Sequence, residues 1–279
     1  MAYSAEISRS NPTCFVFLID QSGSMDNPFG GESGKKKAHG VADAINRLLQ
    51  TLVYRCAKGE TILDRYYVGV IGYGKTVGPA LGGQLAGRAT VPVSEIGNYP
   101  LRLEQRTKKV DDGAGGLVEQ TVKFPIWFEP QAEGQTPMCA ALGKARDIVA
   151  EFIGRCPGCF PPIVINISDG EATDGSPEPT AAILRSVTSS DGEVLLFNAH
   201  ISSMNEKPIQ FPSREDQLPD DYARLLFRMS SVLPPDMLKQ AKAAEPHVGD
   251  GARGFVFNAD LVSVIQFLDI GTRVDRNAR

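Results

Sequence analysis

The stretch Phe15-Val-Phe-Leu-Ile-Asp20-Gln-Ser-Gly-Ser24-Met25 constrains this chain more than any other. It opens as an unbroken apolar run, the pattern of a strand buried on both faces of a parallel sheet. It ends in Asp20, Ser22 and Ser24, oxygen-bearing side chains spaced two apart. Gly23 permits the sharp turn that aims both hydroxyls the same way. The carboxyl end of a central strand is where open α/β sheets bind ligands. One carboxylate and two hydroxyls are hard oxygen donors, suited to Mg²⁺ or Mn²⁺. The plainer reading is that Asp, Ser and Gly are turn formers and only turn the chain.

Two later stretches bear on that choice. Gly134-Gln-Thr136-Pro-Met138 precedes an amphipathic segment, and Ile165-Asn-Ile-Ser-Asp169-Gly-Glu171 closes an apolar one. Each also has an ordinary reading: Thr136 as a helix N-cap, and Asp169-Gly170 as a turn. Together the three stretches resemble the von Willebrand factor A (vWA) family. Asp20-Gln-Ser22-Gly-Ser24 matches its D-x-S-x-S signature, which opens a metal-ion-dependent adhesion site. The family's Thr after a middle strand and Asp after the next fall at Thr136 and Asp169. Three separated motifs in the right order are far more specific than one. The resemblance spans roughly residues 14–200, and 253–272 more weakly.

The resemblance implies a doubly wound, mostly parallel, Rossmann-like α/β fold. It implies that Ser22, Ser24 and Thr136 touch Mg²⁺ or Mn²⁺, while Asp20 and Asp169 ligate through water or orient the other donors. The open coordination position would take an Asp or Glu from a protein partner, so the chain would be a recognition module and not an enzyme. Among relatives it looks most like intracellular bacterial vWA proteins of tellurite-resistance and phosphosignalling systems, which implies a cytoplasmic setting. Two other classes stay open. One is a Mg²⁺-dependent phosphoryl-transfer or hydrolytic enzyme; the other is a scaffold with a vestigial site.

In chain order, residues 1–13 read as a frayed polar lead-in and 14–273 as one domain, with a tail over 274–279. The first strand is 14–19, and 26–34 is turn-rich loop. A helix is predicted from about Lys35 to Cys56, with Val41, Ile45, Leu48, Leu49, Leu52 and Val53 on one face. Tyr66–Tyr73 reads as a second buried strand. Residues 77–124 look like an insertion, ending in a hairpin that pairs Leu101–Val110 with Leu117–Phe124. Ile126-Trp-Phe128 is expected to return to the sheet as a short edge strand. Residues 137–154 form the clearest helix, followed by strand 162–167, a helix near 179–189 and strand 193–198. Residues 202–250, rich in proline, diverge from the family, with helical patches at Tyr222–Met229 and Asp236–Ala244. Phe255–Phe257 reads as a last strand and Leu261–Leu268 as a closing helix.

Composition narrows function. With 42% hydrophobic and 22% charged residues, a sizeable core is expected. A net charge of −4 gives no pull toward nucleic acid or anionic membrane. No apolar run is long enough to span a bilayer, and MAYSAEISRSNPT has no apolar signal core. Five cysteines, an odd number, fit free thiols in a reducing compartment. Gly69-Val-Ile-Gly-Tyr-Gly74-Lys75-Thr76 matches the phosphate-loop pattern letter for letter. That motif needs a strand before it and a helix after; here the strand runs through it and Gly78-Pro79 breaks any helix, so no nucleotide is expected. Cys156-Pro-Gly-Cys159 has no second pair for zinc. His39, His200 and His247 are scattered and read as non-catalytic. Lys35–Lys37 and Lys108-Lys109 read as solvated faces, and the sequon at Asn166 falls in a buried strand.

Overall fold

A computed structural model describes residues 2–28, 36–111, 117–201 and 207–258. The expected helix 261–268, the tail, most of loop 26–34 and the hairpin turn at 112–116 lie outside the described residues.

Apart from two short hairpins at 57–62 and 188–193 and three 3-10 turns among the described residues, the elements in chain order are β1 (Thr13–Asp20), α1 (Lys37–Cys56), β2 (Tyr66–Tyr73), β3 (Val77–Pro79), β4 (Val91–Pro92), α2 (Val93–Asn98), β5 (Arg102–Asp111) and β6 (Leu117–Ile126). There follow α3 (Met138–Arg155), β7 (Ile163–Ser168), α4 (Pro177–Arg185), β8 (Leu195–His200), β9 (Ile209–Gln210), α5 (Asp221–Met229), α6 (Pro235–Ala244) and β10 (Phe255–Phe257). Among the described residues the main sheet runs β9-β10-β8-β7-β1-β2-β3, with β4 also paired to β2. The strands β2, β1, β7, β8 and β10 are mutually parallel. Counted along the chain, these five lie in the order 2-1-3-4-5, a doubly wound α/β arrangement. The antiparallel strands sit at the two edges.

Both faces of the sheet are covered, as an all-apolar β1 requires. Phe15, Phe17 and Ile19 point into a core shared with α1, α2 and α6, and Cys14, Val16 and Leu18 into a second one beneath α3, α4 and α5. Segment 207–250 supplies buried side chains to both cores, among them Phe211, Leu226, Phe227 and Met237. The lead-in is pinned instead of frayed: Tyr3 donates its amide to the Asp191 carbonyl, and Ala5 donates to the Asp191 carboxylate.

On the α3 side a polar chain crosses the sheet. Tyr73 Oη donates to Asn166 Oδ1 at 2.7 Å, Asn166 Nδ2 to Asn198 Oδ1 at 3.0 Å, and Asn198 Nδ2 to Ser230 Oγ at 2.9 Å. Ser230 Oγ ends the chain on the Leu226 carbonyl. Each buried group here has a partner, which avoids the cost of an unmet donor. Asn166 is fully buried within it, which rules out the sequon as a surface acceptor.

The insertion departs from expectation at its exit. The hairpin forms, with Arg102 opposite Ile126 and Asp111 opposite Leu117. Trp127 and Phe128 return to the sheet edge not as a strand but by a single antiparallel bridge, Phe128 to Leu81 just past β3, with the Trp127 carbonyl accepting from the Gly82 amide at 2.8 Å. On their other side they are held by the buried Asn46 of α1. Its Oδ1 accepts from the amides of Trp127 (2.8 Å) and Phe128 (3.1 Å), and its Nδ2 donates to the Phe128 carbonyl (2.8 Å). A polar residue on the buried face of a helix thus meets the backbone groups that the bridge to Leu81 leaves over. Asn46→Ala is expected to destabilise the protein by about 3 kcal/mol, since it strands buried backbone groups in both directions. Urea denaturation measures this, and a loss below about 1 kcal/mol would show that water replaces the side chain.

Candidate metal centre

The strand order reverses between β1 and β7, whose neighbours run off in opposite directions. A crevice at the carboxyl ends of such strands is the ligand position of open α/β sheets. Asp20 ends β1 and Ser168 ends β7. Asp20 is 1% exposed; its Oδ1 accepts from the Ser22 amide at 2.9 Å and its Oδ2 from Ser168 Oγ at 2.7 Å. The first bond folds the chain back after the strand and turns Ser22 inward. Ser22 Oγ and Ser24 Oγ lie 3.0 Å apart, so the two hydroxyls do share one direction.

Two further loops are stitched to this turn. Glu133 N donates to the Gln21 carbonyl at 2.7 Å, and Gly23 N to the Gly134 carbonyl at 3.0 Å. Gly134 has φ +93°, and a Cβ there would lie 2.5 Å from the Lys75 amide nitrogen, so the approach needs glycine. Thr136, 4% exposed, then exchanges bonds with Thr173: its amide donates to Thr173 Oγ1 and its carbonyl accepts from the Thr173 amide, both at 3.0 Å. The helix-capping role open to Thr136 is filled from elsewhere. The Asp174 carboxylate accepts from the amides of Cys139 and Ala140 at the start of α3, where the helix dipole also favours it. The Thr136 hydroxyl is therefore not needed by those amides.

Asp169 follows β7 and is 14% exposed in its side chain. Its Oδ2 lies 3.5 Å from the Lys37 ammonium, while its Oδ1 is buried without a hydrogen-bond partner among the described residues. Its carbonyl accepts from His200 Nε2 at 2.8 Å, so the ring hydrogen sits on that nitrogen. The His200 ring stacks on Phe257, with centroids 5.0 Å apart, and burial holds its pKa below the ordinary value. It braces Asp169 as a neutral ring. Sequence reasoning missed this histidine because strand 193–198 was set two residues early: the strand is Leu195–His200, which carries the ring to the crevice. Ser168 was also missed, although its place directly before Asp169 was visible.

Burial pushes the Asp20 carboxyl up to about 6, an effect that its hydrogen bonds from Ser22 oppose and the nearby charge of Asp169 reinforces. The donors fit a hard divalent ion better than a soft one: hydroxyls and carboxylate oxygens, with an orphaned Asp169 Oδ1 facing no other partner. Among the described residues no group of three or more His, Cys, Asp or Glu could hold a metal. Any centre here must be hydroxyl-rich.

The phosphate-loop match dissolves in the structure. Gly69 through Tyr73 lie in strand β2; Gly69 is packed against the Ala89 carbonyl, while Gly72 and Gly74 make room for Gln21. A Cβ at Gly72 would lie 2.0 Å from Gln21 Oε1, and one at Gly74 would lie 2.6 Å from the Gln21 carbonyl. Lys75 is exposed and paired with Glu133 at 2.8 Å.

No family model matches the chain, and no curated protein matches it. Similar solved structures include the manganese-loaded TRAP protein of Plasmodium vivax, 16% identical over 96% of this chain and 76% of that one, TM-score 0.45. Proximal thread matrix protein 1 of the mussel byssus is 13% identical over 95% of this chain and 46% of that one, TM-score 0.46. The vWF domain of the type V pili tip protein Mfa5 of Porphyromonas gingivalis is 15% identical over 58% and 39%, TM-score 0.35. This chain thus spans less than half of the last two.

Two outcomes are expected. Because the folded Asp20 pKa lies above its ordinary 3.8, its contribution is intact below about pH 4 and is lost as pH rises through about 6. In chelator, Asp20→Asn should gain up to about 3 kcal/mol on the wild type between pH 4 and 7. A pH-independent difference in urea unfolding would refute this. Lys75→Ala should leave folding unchanged and, like the wild type, show no ATP binding by calorimetry.

Proposed function

We propose that the chain is a divalent-cation-dependent protein-recognition module. Ser22, Ser24 and Thr136 would hold Mg²⁺ or Mn²⁺, with Asp20 and Asp169 acting through water or by orienting the hydroxyls. The observation that carries this reading is the pair of hydroxyls 3.0 Å apart after β1, together with a buried carboxylate oxygen of Asp169 after β7 that has no partner among the described residues, both at the strand-order reversal. The vWA resemblance of the sequence points the same way. The bound ion would supply a positive charge with an open position, to which an anionic oxygen is drawn. Asp20 keeps both oxygens on Ser22 and Ser168 and so fixes the serine turn, the task of groups behind a metal's direct ligands. The Asp or Glu would come from a protein partner, with the loops around Asn27, 129–135 and 170–176 setting specificity.

The non-enzymatic reading has its own support. His200, the titratable ring at the crevice, is committed to the Asp169 carbonyl and to Phe257. No described helix is long and apolar enough to cross a membrane. The free cysteines fit a reducing compartment, and we place the protein in the bacterial cytoplasm on that basis and on its resemblance to tellurite-resistance-associated proteins.

Mn²⁺ calorimetry on wild type, Asp20→Ala and Thr136→Ala tests the centre: the wild type should bind one ion, and each variant should lose at least about tenfold in affinity, the usual scale for such partners. Equal affinity in all three would sink it. A partner captured from lysate should be released by chelator, return with Mg²⁺, and lose binding when one acidic residue of it becomes the amide. Generic phosphoester turnover dependent on Mg²⁺ would instead favour the enzyme class.

A further inference from the structure

Lys37 does not belong to the donor set, yet it lies in the crevice. It is the first residue of α1, and its side chain is 4% exposed. Lysine is almost never buried without a partner, and among the described residues its ion-pair partner is Asp169 Oδ2, at 3.5 Å. The neighbouring Lys36 behaves as a surface lysine should, pairing with Asp26 at 2.7 Å in the open. Lys37 is turned in by its backbone, whose amide donates to the Asn27 carbonyl at 3.0 Å in the turn that follows Ser24.

The contact is a loose one. Charge-assisted bonds close to about 2.7–2.9 Å, whereas this one is 3.5 Å, and the second carboxylate oxygen of Asp169 has no partner among the described residues. Asp169 therefore has a cation but is not saturated by it. Lysine carries a compact charge on a flexible four-carbon stem, which can withdraw without moving the helix.

We propose that the Lys37 ammonium is a tethered cation that neutralises Asp169 when no divalent ion is bound, and that it sets the ion concentration at which the centre loads. This rests on the metal-centre reading above. A divalent ion and the ammonium compete for the same carboxylate. At separations of a few ångströms in a crevice shielded from water, their repulsion is weakly screened. Removing the ammonium removes both the competitor and the repulsion, so both effects tighten binding. A merely structural ion pair would behave differently, lowering stability with or without ion and leaving affinity alone.

The test uses the whole chain and Mn²⁺ as probe, with free Mn²⁺ read by electron paramagnetic resonance and melting followed in chelator and in saturating Mn²⁺. Lys37→Met keeps the stem, and Lys37→Gln serves should Met fail to fold. Either variant should bind Mn²⁺ at least about tenfold more tightly than wild type. Either should melt lower in chelator and regain the wild-type melting temperature with Mn²⁺. The double variant Lys37→Met, Asp169→Asn should recover stability in chelator but lose the tight binding. Variants that bind Mn²⁺ no more tightly than wild type would overturn the proposal while leaving the centre standing. Binding by neither wild type nor variants would overturn the metal-centre reading itself. Binding by the variants alone would support the tethered cation and show that it fills the wild-type site.

Discussion

The carboxylate of Asp20 is 1% exposed, and the arrangement around it follows from that burial. A charge removed from water must be met by hydrogen bonds or lose its charge. One oxygen is met by the amide of Ser22, which fixes the turn leaving β1; the other is met by Ser168, which fixes the end of β7 against it. Ser168 Oγ in turn accepts from the Gly170 amide, so the same group also starts the loop that carries Asp169. A single desolvated group thus sets the direction of both chain exits at the reversal of strand order. The serine hydroxyls and Asp169 take their places as consequences of it.

The loops around the crevice are held by hydrogen bonds to backbone groups. Gln21 and Gly23 bind Glu133 and Gly134, Thr136 binds Thr173, and Asp174 closes the start of α3. The polar chain from Tyr73 to Ser230 lies under these loops on the α3 face. Directional bonds of this kind tolerate one register only, and a site that must place hydroxyls to fractions of an ångström needs that uniqueness more than it needs added burial.

The fold was largely legible because its signals were local. An apolar run with no alternation reads as a doubly covered strand, and Tyr66–Tyr73 and Phe255–Phe257 lie where the pattern put them. The two helical patches of the divergent segment also formed, as Asp221–Met229 and Pro235–Ala244. What stayed hidden depended on contacts far apart in sequence. Trp127 and Phe128 have the apolar character of a strand, but beyond one bridge to Leu81 their amides are met by the Asn46 side chain, which no local pattern signals. His200 was lost to a two-residue error in a strand end, where apolar and polar residues give no sharp stop. Lys37 sat in a run of three lysines, and sequence alone cannot show that one of them turns inward. The phosphate-loop match failed for a related reason: its glycines serve close backbone approaches, Gly69 to the Ala89 carbonyl and Gly74 to the Gln21 carbonyl, a steric need that mimics a phosphate cradle letter for letter.

Formal charge explains why recognition of an acid at this crevice would depend on an ion. With Asp20 and Asp169 ionised and Lys37 charged, the crevice carries one net negative charge, and an incoming carboxylate is repelled. A divalent ion held mainly by neutral hydroxyls reverses the sign to one net positive charge. One carboxylate from a partner then brings the crevice to neutrality. A donor set of three or more carboxylates would bind the ion more tightly but would cancel its charge and remove the reason for an acid to approach. If the serines and threonine hold the ion, their use where aspartate would be the stronger ligand, and the placing of a lysine beside Asp169, would both move the balance toward attraction for an external anion. On the proposed reading the crevice gives up affinity for its ion in return for a sign change that a partner's acidic residue can sense.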